Sequence, residues 1–320
     1  MTGPVALVFP GQGSQRPGMG RPWADTPSWA LVAEISGYAG RDAAVLLLDT
    51  DADELARTDS AQLATFALEM VLLDAVRAAG VTDGVLGACA GHSLGECSAL
   101  VAAGILDLAD AARLVAARGA AMARAAAERP GTMAVLVNLD AATAGTLVEQ
   151  ARGRDGEVWV ANLNAPGQVV VSGTRAGVAA VEIAATEAGG KAVRIPVGGA
   201  FHSPLMAPAA EPLGAALAAV TPRPGNHPVV ANVDAVPHDG GADWRALLRR
   251  QLVEPVRWED GLRALTGLGC RLVVELGPGR TLAGLAKRVI PATPAVSVSA
   301  PDGVGPMTEQ AEALSAVLTG

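Results

Sequence analysis

Ser93 sits in Gly91-His92-Ser93-Leu94-Gly95, a G-x-S-x-G pattern that follows the apolar run 85–90 and precedes the helix-compatible run 96–103. Strand, tight turn and helix in that order make a nucleophile elbow, where small flanking residues let a serine hydroxyl project alone. The helix that begins there points free N–H groups, with their partial positive charge, at any oxyanion forming beside the serine. The chemistry on offer is nucleophilic attack by a serine, with the resulting oxyanion stabilised beside it. The plainer alternative is a glycine-rich turn carrying a passive serine. In a chain with 38 glycines, the five residues alone leave both readings open.

A nucleophilic serine needs a base, and the chain has four histidines. His92 precedes the serine in the elbow, so its side chain is expected to point away and to pack or hydrogen-bond locally. His227 and His238 fall in turn-like surface segments. His202 lies in Gly198-Gly199-Ala200-Phe201-His202-Ser203-Pro204, between an expected strand and an expected helix. A loop held by a rigid scaffold is where catalytic residues concentrate, so His202 is the candidate base, with a structural loop histidine as the alternative. Arg118 shares a helical stripe with Val115 and Met122, three residues before it and four after, and therefore faces inward. An inward guanidinium wants an anionic partner, and its planar fork grips a carboxylate through two parallel hydrogen bonds. The competing reading is an ordinary exposed helix arginine such as Arg113 or Arg124.

These residues need elements to carry them. An apolar strand, Val5–Phe9, runs into the loop Pro10-Gly11-Gln12-Gly13-Ser14-Gln15. Apolar spacing predicts a helix over 62–79, and Asp107 can cap a long helix bearing Leu108, Ala112, Val115, Gly119 and Met122. The next stretch reads strand 133–137, helix 141–151, strand 158–161, strand 168–172, helix 175–188, strand 192–197. That β-α-β-β-α-β order is a ferredoxin-like unit. Strands at 229–233 and 272–276 resume the larger part, while 221–225 and 301–306 read as loops by proline and glycine content. The expected fold is α/β: an α/β-hydrolase-like large domain (1–127 and 198–320) with an inserted ferredoxin-like small domain (128–197).

Composition limits the function. The 320 residues are 50% hydrophobic and 18% charged, as a globular protein requires. Mean hydropathy is +0.33, yet no run reaches the roughly 18 apolar residues of a spanning helix, so no membrane role is expected. A net charge of −8 argues against nucleic acid. Cys89, Cys97 and Cys270 lack metal spacing, which predicts a reduced cytoplasmic protein without a structural metal.

The motifs taken together resemble the malonyl-CoA:acyl-carrier-protein transacylases, a family that includes the acyltransferase domains of fatty acid and polyketide synthases. The resemblance rests on Phe9-Pro10-Gly11-Gln12-Gly13-Ser14-Gln15, Gly91-His92-Ser93-Leu94-Gly95-Glu96 and Arg118-Gly119-Ala120-Ala121-Met122. It continues through Asn162-Leu163-Asn164-Ala165-Pro166-Gly167-Gln168, Gly199-Ala200-Phe201-His202-Ser203-Pro204 and Asn232-Val233-Asp234-Ala235. Gln251-Leu252-Val253-Glu254-Pro255-Val256-Arg257-Trp258 and Glu275-Leu276-Gly277-Pro278-Gly279 complete it.

The resemblance implies a Ser93–His202 dyad whose histidine is oriented by the backbone carbonyl of Gln251, with Asp234 or Glu254 as alternatives that the sequence leaves open. It implies an oxyanion site at the N–H groups of Gln12 and Leu94. It implies a malonyl carboxylate on Arg118, in a pocket that also involves Gln62, Met122, Asn162, Phe201 and Gln251. Ala200-Phe201-His202 resembles the malonyl-selecting pattern, although Gly199 stands where many malonyl-selecting relatives have histidine. The implied partners are malonyl-CoA, or a 2-substituted relative, and an acyl carrier protein, with no cofactor. Arg245, Arg249 and Arg250, or Arg280, Lys287 and Arg288, are candidate docking cations for an acidic carrier. Two rivals remain: an acyl hydrolase using the same dyad, which Arg118 opposes, and a silent carrier-binding scaffold.

Overall fold

The computed structural model describes residues 3–152 and 156–319; residues 1–2, 153–155 and 320, which fall inside the expected domain ranges, lie outside the described ones. Among the described residues, ten strands form two sheets. They are β1 (Val5–Phe9), β2 (Leu86–Gly91), β3 (Thr132–Val137), β4 (Val158–Ala165), β5 (Gln168–Gly173), β6 (Lys191–Ile195), β7 (Val229–Val230), β8 (Pro237–His238), β9 (Leu272–Leu276) and β10 (Ala295–Val298).

The larger sheet has the order β10-β9-β1-β2-β7-β8 and is parallel except at β8. A parallel sheet is covered on both faces, and β1 shows why its residues are apolar throughout. Val5, Leu7 and Phe9 pack into one core, on the side of the helices Thr58–Ala78 and Leu108–Glu128. Ala6 and Val8 pack into the other, with Leu262, Leu265 and Leu285. Phe9 at the end of β1 lies in register with Gly91 at the end of β2, and the N–H of His92 donates to the Phe9 carbonyl at 2.9 Å. The loop after β1 and the elbow after β2 therefore leave the sheet side by side.

The smaller sheet has the order β4-β5-β3-β6, every pair antiparallel. Helices Ala141–Arg152 and Arg175–Glu187 pack with it around Leu136, Val148, Val158, Val171 and Val181. This is the ferredoxin-like arrangement expected from the sequence.

Several expected elements change length for physical reasons. The strand expected at 229–233 stops at Val230, because the chain turns there: Ala235 N–H donates to Ala231 at 2.9 Å and Ala231 N–H to Val236 at 3.1 Å. Strand 158–161 extends to Ala165 through two register shifts. Strand 192–197 shifts to Lys191–Ile195, since Pro196 has no N–H for the ladder. The segment 301–306, expected as loop, is instead a 3₁₀ turn (Pro301–Gly303) and the first turn of the helix Val304–Thr319. Pro306 is tolerated there because first-turn N–H groups have no partner within the helix. His227, expected at the surface, is buried, with Nε2 3.3 Å from Asp83. Among the described residues, no helix is long and apolar enough to cross a membrane, and no group of three His, Cys, Asp or Glu residues could hold a metal.

Candidate active site

The elbow is held by sterics and by one asparagine. A Cβ added at Gly91 would lie 1.9 Å from the carbonyl carbon of Gly95, and one at Gly95 would lie 2.0 Å from the Phe9 carbonyl oxygen. Ser93, between them, adopts φ 55°, a left-handed conformation costing a non-glycine residue on the order of 1–3 kcal/mol. Asn232 braces that turn: its Oδ1 accepts from Ser93 N–H at 2.8 Å, and its Nδ2 donates to the Gly91 carbonyl at 2.6 Å. Helix Gly95–Ala102 starts directly behind the serine.

His202 brings its Nε2 to 2.7 Å from Ser93 Oγ and its Nδ1 to 2.8 Å from the carbonyl oxygen of Gln251. A carbonyl only accepts, so Nδ1 carries the proton and Nε2 offers its lone pair to the serine hydroxyl. Of the three residues the sequence left open, Gln251 bonds the ring through its carbonyl and Glu254 acts on it through its backbone, while neither carboxylate does. Asp234 pairs with His238 at 3.0 Å, and Glu254 pairs with Arg250 at 2.8 Å. Like Ser93, His202 has φ 55°. Burial, and then the charge of Arg118, lower its pKa to about 3, so the ring is neutral at physiological pH.

Arg118 is 3% exposed. It donates to Gln62 Oε1 at 2.6 Å, to Gln251 Oε1 at 2.8 Å and to Ser93 Oγ at 3.1 Å. All three acceptors are neutral, and no ion pair engages Arg118 among the described residues. The buried Glu96 favours the charged guanidinium from the far side of the Gln251 amide but makes no direct pair with it, so an arriving anion still stabilises the site. Gln62 extends the network: its Nε2 donates to Thr58 Oγ1 and lies 3.3 Å from Met122 Sδ, while the Thr58 hydroxyl donates to Gln12 Oε1 at 2.6 Å.

These groups surround a cavity of about 300 Å³ between the two sheets. Gln12, Ser93, Leu94, Arg118 and His202 line it from the large-sheet side. Gln62, Met122, Asn162 and Phe201 line it as well, with Val135, Val170 and Ile195 of the small sheet opposite. Gln251, expected to line the pocket, instead lies behind Arg118, 1% exposed, and its side chain is wholly engaged by protein groups. Among the described residues, no hydrogen bond occupies the N–H of Gln12 or that of Leu94. A Cβ at Gly199 would meet the Phe201 ring at 2.6 Å, so glycine there lets that ring keep its position. His92 turns away from Ser93, as expected, to Asn164 Oδ1 at 2.9 Å and the Trp258 ring at 5.4 Å.

Reasoning from the sequence missed Asn232, Thr58 and Glu96 as parts of this site. Thr58 stands one helical turn before Gln62, a spacing that signals contact. Glu96 is the buried acid that closes the elbow motif, yet its position in the motif names no partner. Both candidate docking clusters are partly spent on internal bonds. Arg245 donates to the Val220 carbonyl, Arg250 pairs with Glu254, and Arg288 holds Pro166 and Gln168 of the small-sheet hairpin. Among the described residues, Arg280 and Lys287 form no ion pair.

The chain matches the acyl transferase domain family over residues 6–308. It is 38% identical over 303 residues to the malonyl CoA-acyl carrier protein transacylase of Bacillus subtilis (strain 168), covering 94% of this chain and 95% of that one. To the protein of the same name in Escherichia coli (strain K12) it is 38% identical over 310 residues, covering 95% and 98%. Among solved structures, it resembles an acyl-carrier-protein S-malonyltransferase from Burkholderia pseudomallei, with TM-score 0.91, 36% identity and coverage of 97% and 100%. It also resembles a malonyl-transacylase solved in complex with a type II polyketide synthase acyl carrier protein, with TM-score 0.90, 35% identity and coverage of 96% and 99%.

Proposed function

The chain belongs to the acyl transferase domain family, and from that premise we propose how its residues divide the work of moving malonyl from coenzyme A to an acyl carrier protein. The reaction serves fatty acid or polyketide synthesis. Ser93 is the nucleophile. As its Oγ attacks the malonyl thioester carbonyl, His202 Nε2 takes the hydroxyl proton, and the carbonyl oxygen becomes an oxyanion received by the N–H groups of Gln12 and Leu94. Collapse of that intermediate breaks the C–S bond, and the departing CoA thiolate receives the proton from His202. In the second half, the carrier's pantetheine thiol gives its proton to His202 and its sulfur attacks the Ser93 ester. The Oγ leaves and regains the proton. The scheme is ping-pong and uses only groups of this chain.

One observation carries the substrate assignment: Arg118 is a buried cation with only neutral protein acceptors, and it lies 3.1 Å from the nucleophile. A malonyl carboxylate supplies the directly bonded anion that no protein group provides. On binding, it draws the guanidinium from Ser93 Oγ and offsets the charge that, after burial, holds His202 down to about 3. The base then gains strength when the correct acyl group is seated. Phe201, Met122, Gln62 and Asn162 shape the room around the malonyl group, and Gln251 acts behind Arg118.

Cys89, Cys97 and Cys270 are free and buried, which supports a reducing, cytoplasmic location. The separate sheet and core of the insert support residues 128–197 as a small domain set into a large one, 1–127 and 198–320. Arg280 and Lys287 line one pocket together and, like Arg249, form no ion pair among the described residues, which supports them as cations for an acidic carrier.

Intact-protein mass spectrometry tests this after brief incubation with malonyl-, methylmalonyl-, ethylmalonyl- and acetyl-CoA, with Ser93→Ala as control. The expected result is a malonyl-sized adduct, absent in the variant and discharged by added carrier protein. Preferred loading of a larger malonyl derivative would overturn the role given to Phe201. Rapid loss of every adduct to water, unaffected by a carrier, would mark a hydrolase instead.

A further inference from the structure

Glu96, three residues after the serine and 1% exposed, is used by none of the steps above. Its Oε1 accepts from the backbone N–H of Asn232 at 2.7 Å, and its Oε2 accepts from Gln251 Nε2 at 2.5 Å. Asn232 is the residue that braces the elbow. Gln251 turns the same Nε2 to the Ser93 carbonyl at 2.9 Å, its Oε1 to Arg118 at 2.8 Å, and its backbone carbonyl to His202. The segments that deliver nucleophile, base and clamp thus meet at one carboxylate.

The two ends of this network differ in kind. A guanidinium only donates, an ionised carboxylate only accepts, and the Gln251 amide between them can do both. With Arg118 at one end and Glu96 at the other, that amide has a single satisfied orientation, oxygen toward the arginine and nitrogen toward the acid. We propose that Glu96 is a positioning residue for malonyl selection: as an acceptor-only group it fixes the Gln251 amide, which in turn holds the Arg118 guanidinium where a substrate carboxylate meets it. The inference rests on the malonyl-transfer reading above. Burial raises Glu96 to about 7, opposed by the bonds from Asn232 and Gln251 and by Arg118. Asp234 raises it further, and Cys97 lies within its electrostatic reach.

Glu96→Gln is the informative change, because it keeps the shape and removes the polarity. A glutamine has one acceptor for two donors, so its NH₂ confronts either Asn232 or Gln251. Rotating the Gln251 amide relieves that conflict only by aiming its own NH₂ at Arg118. Single-turnover acylation of Ser93 from malonyl-CoA and from acetyl-CoA at pH 8 reads the result. Losing one bond to a charged group predicts a malonyl rate lower by about 10–100-fold, with the acetyl rate falling far less. In a Gln251→Met background, the same substitution is expected to leave the malonyl-to-acetyl ratio unchanged, since the amide it acts through is gone.

An unchanged ratio in Glu96→Gln alone, whether both rates hold or fall together, overturns the proposal. A collapse of the ratio that persists undiminished in the Gln251→Met background also overturns it. If Glu96→Gln does not fold, the unmodified protein decides: its ratio is expected to drop as pH falls through about 7, because protonation turns one Glu96 oxygen into a donor and weakens its acceptance from one of the two N–H groups. A ratio flat from pH 5 to 8.5 then overturns the proposal. Failure of the unmodified protein to load malonyl at Ser93 would count against the functional reading and not against this one.

Discussion

The two sheets face the same cavity and bring different things to it. Gln12 and Ser93 follow strands of the large sheet, Arg118 comes from the helix Leu108–Glu128, and His202 from the loop after β6. All four are bound into one hydrogen-bonded network on the large-sheet side. From the small sheet come the apolar side chains of Met133, Val135, Val170 and Ile195, with the neutral amides Asn162, Asn164 and Gln168 beside them. The contrast follows from strand direction. A parallel sheet sends all its loops and helix N-termini out at one edge, so groups distant in sequence converge there. An antiparallel sheet covered by helices on one face offers its other face as a wall. In the proposed reaction, chemistry thus gathers at the strand ends of one sheet and the groups that meet them there, and the face of the other shapes the acyl site.

This division can be broken, beginning with the edge. Ser93→Ala is expected to remove the acyl adduct and lower transfer by at least about 10⁴-fold, as measured by mass spectrometry and carrier loading. Any substantial adduct in that variant would move the chemistry elsewhere. Arg118→Ala should lower malonyl loading by about 10²–10³-fold while sparing acetyl-CoA, because only malonyl loses its counter-charge.

The same variant tests the base. NMR of labelled histidine should find the His202 ring neutral well below the pH at which an exposed imidazole protonates. Its midpoint should rise without Arg118, though not fully, because burial is the larger cause. The unfolded chain binds that proton near pH 6.5, as an ordinary imidazole does. The ring's contribution to stability is thus present above pH 6.5 and is lost as pH falls toward about 3. A midpoint near 6.5 in the unmodified protein would contradict the network drawn here.

The wall is expected to give smaller effects of another kind. Val170→Ala should admit methylmalonyl-CoA about tenfold better relative to malonyl-CoA, with malonyl transfer nearly unchanged, since a methyl-sized space changes discrimination modestly. A large fall in malonyl rate would mean that the wall takes part in the chemistry. The smallest effect belongs to the small sheet's edge, where Arg194 on β6 forms an exposed pair with Glu182. Arg194→Ala should leave carrier loading unchanged and shift Tm by less than about 2 °C.

What the sequence revealed divides along similar lines. The elbow, β1 and the insert's strand order were readable because glycines and apolar periods are local signals. Arg118's inward aim followed from its stripe with Val115 and Met122. The bond from Glu96 to Asn232 was not readable, since 136 residues separate the partners and neither carries a local cue. The same turn cut the expected strand 229–233 short. Gln251 was read as a pocket residue because motif resemblance ties a residue to a site without saying which layer it occupies. The helix Val304–Thr319 was missed because Pro301, Gly303, Gly305 and Pro306 look like a loop, whereas a helix start accepts proline.

The left-handed backbone at both Ser93 and His202 bears on how such a protein changes over generations. Glycine would fit either turn with less strain, so a chain selected only to fold would drift toward glycine at these two positions. A lineage that lost the need for transfer would become more stable as it became inert. Asn138 and Ala235 hold similar angles without serving in the proposed reaction, so the strain alone does not mark function; at Ser93 and His202 its relief by glycine would also remove the side chains that the reaction uses.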